Sequence, residues 1–224
     1  MNHFLRGAIC AATFLVAAIG AKAQMGFGGP PTMHGVWHPV VGNGAAYEMT
    51  SKDGKKTDME IDVVGKESVG GQDGIWMEIT MNQPQMGGDM IMKMFTVANG
   101  SDAQSSRMIM KLPNTPAMEM PASSGKSHEK VQPTDIRSSA QDVGSESVTV
   151  PAGTFTCEHY HMKDGSGDVW VTDKISPWGV AKYQSQESSM VLMKVITGAT
   201  DKITEKPIPF DPMKLAAAMS GRQR

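Results

Sequence analysis

Along most of the chain, apolar and polar residues alternate with a period of two, which is the pattern of half-buried β-strands. The stretches "IWMEITM", "DMIMKMFTV" and "RMIMKL" show it most clearly, each with a row of methionine, isoleucine or leucine on one face. We count about ten such strands, and consecutive strands joined by short turns favour an antiparallel sheet. A sheet of that many strands tends to curl. The predicted fold is therefore mainly β, a strongly curved antiparallel sheet or half-barrel.

The first hairpin, "AAYEMTSKDGKKTDMEIDVV", allows its register to be predicted. A three-residue loop over 53–55, with glycine in the left-handed conformation, places Met49 opposite Met59 and Tyr47 opposite Ile61. A slip by one residue would turn every side chain to the other face. The pattern therefore favours this register, in which apolar side chains face each other.

The amino-acid composition divides the rest of the chain into a lead, a domain with a long loop, and a C-terminal helix. Residues 24–36 are rich in Gly and Pro, which predicts a disordered lead, and 37–224 are expected to form a single antiparallel β domain. Within it, 113–141 is polar and contains "PNTPAMEMPASSGKSHEK", which predicts a long irregular loop or flap. Residues 211–220 predict a short C-terminal helix with Asp211 as its N-cap.

The first 23 residues have the three parts of a secretory signal peptide. Arg6 provides a positive charge, residues 8–20 are apolar, and Ala21-Lys22-Ala23 is a cleavage site. The apolar run is too short for a membrane-spanning helix, which needs about 20 residues. We expect cleavage after Ala23, no membrane span afterwards, and a periplasmic or secreted protein.

The net charge and the cysteine content argue against a nucleic-acid partner and against an internal disulfide. The formal net charge is −2 without a cluster of Lys or Arg, which argues against a nucleic-acid partner. Only Cys157 remains after signal cleavage, so an internal disulfide is excluded. Methionine is the unusual component, at 20 residues against 6 Phe and 3 Tyr, so much of the apolar volume is flexible and polarizable.

Methionines on one face of neighbouring strands are the candidate lining of an apolar ligand site. They are Met77, Met81, Met90, Met92, Met94, Met108 and Met110 on the strands, with Met118 and Met120 on the flap. A flap that packs onto the sheet would explain the last two. Thioethers are also soft ligands that suit Cu(I), so the M-x-M units leave a metal site open as an alternative.

"FTCEHYHMK" places Cys157, His159 and His161 on one face of a strand. Cys157 and His161 would lie about 13 Å apart, whereas zinc bonds are only about 2.0–2.3 Å long. The two histidines could share an ion, with a third ligand from a neighbouring strand. The predicted hairpin register places Trp170 opposite His161 and Thr172 opposite His159, and neither is a ligand. An ordinary strand face is therefore favoured.

Catalytic machinery is not recognisable in the sequence. It contains no G-x-S-x-G, H-E-x-x-H, P-loop or G-x-G-x-x-G motif. A nucleophilic cysteine needs a base and an orienting group that meet in a cleft, and His159 merely shares a strand face with Cys157. We predict a protein that is not an enzyme and needs no cofactor.

Several phrases together resemble a group of exported bacterial proteins of unknown function. They are "WHPVVGNGAAYEMTSKDGKK", "VGKESVGGQDGIWMEI", "PAMEMP", "VTVPAGTFTCEHY" and "DVWVTDKISPWGVAKYQS". The V-x-V-P-A-G-T-F and S-P-x-G-V-x-K segments are also similar to those of periplasmic lipoprotein carriers (LolA-type). This resemblance implies a curved sheet whose concave face is covered by a helix or loops, and in carriers of that type the hollow takes an acyl chain.

Three functions follow as hypotheses. The first is a secreted or periplasmic protein that binds a lipid or another apolar ligand in a concave, methionine-lined sheet. The second is a periplasmic Cu(I) or metal binder that uses Met118 and Met120, with His159 and His161. The third is a structural or envelope-interaction protein without a ligand, in which the methionine rows are simply core.

Overall fold

The computed structural model describes residues 35–69, 71–99, 102–121 and 136–215. In these ranges a short helix, α1 (Ile136–Ser139), and a 3-10 turn (Pro84–Met86) accompany twelve strands of one sheet. The strands are β1 (Asn43–Ser51), β2 (Lys56–Val69), β3 (Gln72–Gln83), β4 (Gly88–Asn99), β5 (Asp102–Lys111), β6 (Met118–Glu119), β7 (Ala140–Val150), β8 (Gly153–Met162), β9 (Asp168–Val171), β10 (Val180–Gln184), β11 (Ser188–Thr197) and β12 (Ile208–Pro209). Their order across the sheet is β12-β6-β5-β4-β3-β2-β1-β11-β10-β9-β8-β7.

The predicted fold class is confirmed: the protein is mainly β, with one open, curved sheet and a short helix near the C-terminus. Ten of the strands have four residues or more, and the other two, β6 and β12, have two residues each. Neighbouring strands run antiparallel except for β12 and β6, which are parallel. Among the described helices, none has the length and apolar character needed to cross a membrane.

The strand register divides the sheet into two faces, because directly paired residues point to the same side. One face, which we call the methionine face, contains the cross-strand row Ala45, Ile61, Ile79, Met92, Met110 and Met118. The opposite face, the charged face, contains the row Asp62, Glu78 and Lys93. The main apolar core lies on the methionine face and includes Ile136, Ile175, Trp178 and Leu215 from outside the strands.

The predicted register of the first hairpin is wrong by two positions. Tyr47 faces Met59 and Met49 faces Thr57. The left-handed glycine of a three-residue loop is its last residue, and Gly54 has a φ of 79°. The loop is therefore 52–54 rather than 53–55, and the backbone N–H of Ser51 bonds the carbonyl of Lys55 at 3.0 Å. A shift of two keeps each side chain on its predicted face.

The predicted flap, 113–141, is partly regular structure. It contains β6, it contains α1, and β7 begins at Ala140. Ile136 is fully buried in the main core. Residues 122–135 of the flap lie outside the described residues.

The two ends of the chain are described only in part. At the C-terminus, Asp211 caps the helix as predicted, because its Oδ1 accepts the N–H groups of Met213 at 2.9 Å and Lys214 at 3.2 Å. At the N-terminus, Val36, the last residue of the predicted lead, donates its N–H to the carbonyl of Trp178 at 2.8 Å. The predicted signal peptide 1–23, residues 24–34 of the predicted lead and residues 216–220 of the predicted helix lie outside the described residues.

Candidate functional site

The nine candidate methionines all lie on the methionine face. Six of them are buried in the main core: Met77, Met90, Met92, Met94, Met110 and Met118. The other three, Met81, Met108 and Met120, are partly buried and pack against the same core. The structure therefore brings these methionines together on one face, where they pack in or against the main core.

A cleft of about 540 Å³ opens at the end of these rows. Trp37 and Pro39 form one side of it, and the end of the β2–β3 hairpin forms the other. Ile75 and Thr96 contribute the floor. Its volume lies in the range of about 300–1,000 Å³ that is usual for small-molecule sites.

The strand register connects this cleft with the methionines. Ile75 pairs with Thr96 across β3 and β4, and the next pair on the same face is Met77 with Met94. Since side chains two positions apart on a strand share a face, the floor of the cleft continues directly into the methionine rows. The cleft is therefore the open end of the methionine face.

The sides of the cleft combine an aromatic wall with a charged rim. The indole of Trp37 is half-buried and lies 5.7 Å from that of Trp178, centroid to centroid. Lys66, Glu67 and Asp73 are exposed at the rim. The cleft therefore has an aromatic wall and a floor of Ile75 and Thr96, with charged residues at its rim.

Gly74 is required at the hairpin end of the cleft. A Cβ atom at this position would lie 2.5 Å from Cζ of Phe95 and 2.7 Å from the carbonyl oxygen of Thr96. Only a residue without a side chain lets β3 and β4 approach in this way. The sequence alone does not predict this cleft, because its walls come from segments separated along the chain. One feature of the sequence could have indicated its position: at one end of the methionine rows, the next same-face positions are Ile75 and Thr96 instead of methionines.

Met118 and Met120 were predicted to lie on a flap that packs onto the sheet. In the structure they extend the sheet itself. Met118 pairs with Met110, and the N–H of Met120 donates to the carbonyl of Met108 at 2.8 Å. Their strand, β6, lies near one edge of the sheet, whereas β8, with His159 and His161, lies near the other. These four residues therefore belong to separate parts of the molecule.

The predicted partners of the two histidines are wrong. His159 faces Trp170, and His161 faces Asp168, because the turn between β8 and β9 closes with the N–H of Met162 bonded to the carbonyl of Gly167 at 2.9 Å. Oδ1 of Asp168 lies 2.9 Å from Nε2 of His159 and 3.0 Å from Nδ1 of His161.

A neighbouring strand thus supplies an acidic side chain to both imidazoles. Partial burial acts to raise the pKa of Asp168, but hydrogen bonds from His159 and then His161 hold it below the usual value. The carboxylate oxygen occupies the position between the two ring nitrogens as a hydrogen-bond acceptor. In the part of the chain that the structure describes, no three or more His, Cys, Asp or Glu side chains are arranged to hold a metal ion.

Cys157 is buried on the strand face that it shares with Glu146. Burial, and then the negative charge of Glu146, raise the pKa of the thiol to about 11. A reactive thiol requires the opposite, a lowered pKa in an exposed position. The arrangement favours a structural role for this cysteine.

Comparisons with solved structures give weak likenesses. One is a structure from Parabacteroides distasonis ATCC 8503, provisionally described as a lipoprotein, with 15% identity and a TM-score of 0.35. Another, from Bacteroides fragilis NCTC 9343, is provisionally described as an exported protein with a YmcC-like fold, with 14% identity and a TM-score of 0.35. Each likeness covers 73% of this chain and 99% of the other. TM-scores this low carry no argument about function.

The sequence itself gives a clearer relationship. No curated protein matches the chain. A family model described as a domain of unknown function, DUF4412, matches residues 48–221, well over half of the chain. The expectation of a family of unknown function is thereby confirmed. The chain belongs to the DUF4412 family.

Proposed function

We propose that this protein is an exported, non-enzymatic binding protein for a lipid or a similar amphipathic ligand, which enters through the cleft beside Trp37. One observation carries the proposal: the floor of the cleft, Ile75 and Thr96, continues into the buried pair Met77 and Met94 on the same face. The apolar part of a ligand would extend along this row, and its polar end would remain at the charged rim.

Methionine makes such an extension physically feasible. Its side chain is unbranched, has three rotatable bonds and adapts to irregular partners. A core of methionines can therefore rearrange around an acyl chain at a lower cost than a core of branched or aromatic residues. Because the methionines are already buried, the gain comes from the ligand, at roughly 0.8 kcal/mol for each of its CH2 groups that leaves water.

Titration of a fluorescent fatty-acid probe tests the proposal. Ile75→Asp introduces a carboxylate at the half-buried floor of the cleft, and we expect the probe affinity to fall at least about tenfold, or about 1.4 kcal/mol. Ile91→Asp is the matched control, because Ile91 is also half-buried, lies on the adjacent strand and faces the charged side. This control should bind the probe as the wild type does.

Other outcomes separate the competing functions. Met118→Leu conserves the apolar surface and should retain probe binding, whereas loss of Cu(I) affinity in this variant would support the metal hypothesis. If the wild-type protein binds neither probe nor Cu(I), the proposal fails, and the methionine face acts only as core.

A further inference from the structure

The segment 199–209, which we call the strap, follows β11, crosses the charged face of the sheet and ends in β12. It leaves β11 near the middle of the sheet and reaches β12 at the outer edge. At its start, the N–H of Ala199 donates to the carbonyl of Gly42 at 2.8 Å, and at its end the N–H of Ile208 donates to the carbonyl of Ala117 at 2.9 Å. The strap thus holds the outermost strand in place.

Three charged side chains lie side by side beneath the strap. Asp62, Glu78 and Lys93 are cross-strand neighbours on β2, β3 and β4, and they are 1%, 0% and 8% exposed. The backbone N–H groups of Lys202 and Ile203 donate to the Glu78 carboxyl at 2.9 and 3.1 Å. Glu78 is therefore the central anchor of the strap.

The charges around this anchor do not balance. Lys202 bonds Glu60 and Asp62, and Lys93 bonds Asp201. Glu78 and Asp201 meet at one donor, because Oε1 of Glu78 and Oδ1 of Asp201 lie 3.1 and 2.9 Å from the backbone nitrogen of Ile203. Four carboxyl groups thus gather around two directly bonded ammonium groups. Two carboxylates held this close in a buried site repel each other, which favours protonation of one of them. The other charged groups around the strap are Lys194 beside Glu60, and the ion pair of Glu205 with Lys111.

Protonation of Glu78 should therefore stabilise the attached strap. Burial, and then the neighbouring Asp201 carboxyl, raise the pKa of Glu78 from 4.5 to about 7, against the backbone N–H groups of Lys202 and Ile203, which lower it. Burial likewise raises the pKa of Asp62. A released carboxyl would return to its ordinary value, so attachment is favoured at low pH and weakens as the pH rises from 4.5 towards 7. Above that window Glu78 and Asp201 are both anions that meet at the N–H of Ile203.

We infer that the strap is a pH-sensitive latch, closed while the Glu78 and Asp201 carboxyl pair carries a proton, which opens the edge of the methionine face as the pH rises. The strap ends in β12, which pairs with β6, and there Ile208 lies opposite Met118. Detachment would free this edge, where Met118 abuts Met110. That the opened edge admits a ligand rests on the proposed function.

Hydrogen exchange measured by mass spectrometry tests the latch on the full mature chain, without any ligand. After correction for intrinsic exchange rates, we expect amide exchange in peptides covering 199–210 to become about tenfold faster between about pH 6 and about pH 8.5. The attached strap loses stability until the pH reaches the Glu78 pKa of about 7, and a loss over about one pH unit corresponds to a factor of about ten. Glu78→Gln cannot ionise, and its single amide oxygen can accept only one of the two strap N–H groups. Its exchange should therefore be faster than that of the wild type at low pH but should not change with pH. Glu48→Gln, which removes an exposed ion pair with Lys56, should behave like the wild type.

Each outcome decides a separate question. Equal exchange of the wild-type strap at both pH values, or an unchanged pH response in Glu78→Gln, would overturn the latch whatever the probe does. If that variant does not fold, infrared spectroscopy of the wild-type protein replaces it, because a buried protonated carboxyl has its own absorption band. Absence of this band at about pH 6 would also overturn the latch. A pH-dependent strap in a protein that binds no probe would leave the latch standing and refute the ligand proposal alone.

Discussion

Shortening Met94 to alanine measures how closely the methionine face is packed. Met94 is 0% exposed and lies between Met77 and Met108 on the adjacent strands. The substitution removes three heavy atoms, worth about 2.4 kcal/mol at roughly 0.8 kcal/mol each. A residual cavity of about 50 Å³ would add about 1 kcal/mol. We therefore expect Met94→Ala to lower the free energy of unfolding by about 3 kcal/mol.

Urea denaturation followed by tryptophan fluorescence gives this value, and two further variants make it interpretable. Met94→Leu roughly conserves volume and should cost less than about 1.5 kcal/mol. Met213→Ala is the matched control, because Met213 is 83% exposed, and its effect should stay within about 0.5 kcal/mol. A loss below about 1 kcal/mol for Met94→Ala, with an unchanged m-value, would refute the packed-core reasoning.

Two further predictions concern buried positions away from the cleft. Cys157 should react with a thiol reagent only slowly until urea unfolds the protein, because burial raises the pKa of its thiol to about 11; rapid labelling of the native protein would contradict this. Gly44→Ala should cost more than about 1 kcal/mol in urea denaturation, because its Cβ would lie 2.2 Å from Oδ1 of Asp62 and 2.5 Å from the carbonyl of Ile61. Gly65→Ala, which meets nothing within 4 Å, is its control and should be nearly neutral.

The errors in the predicted hairpins have a common form. The first hairpin and the β8–β9 hairpin are each shifted by two positions, so every side chain keeps its face while its partner changes. Alternation determines the face, but turn geometry determines the partner. For the histidines this difference is decisive, since it replaces Trp170 by Asp168 opposite His161.

The sequence by itself determined the strands, the apolar face and the position of the C-terminal cap, because these depend on the alternation and capping of residues close together in the chain. The methionine rows could be predicted for the same reason. The pairing of Lys202 with Asp62 and of Lys93 with Asp201 joins residues 140 and 108 positions apart. No local pattern encodes such contacts.

Only the tertiary structure decided how the strap crosses the charged face, and where the methionine rows open into a cleft. The cleft is formed where Trp37, the β2–β3 hairpin and Thr96 meet, and the strap is anchored where three strands place Asp62, Glu78 and Lys93 side by side. Both arrangements depend on the register of distant segments and on burial, which changes the charge of a carboxyl group without any change in sequence.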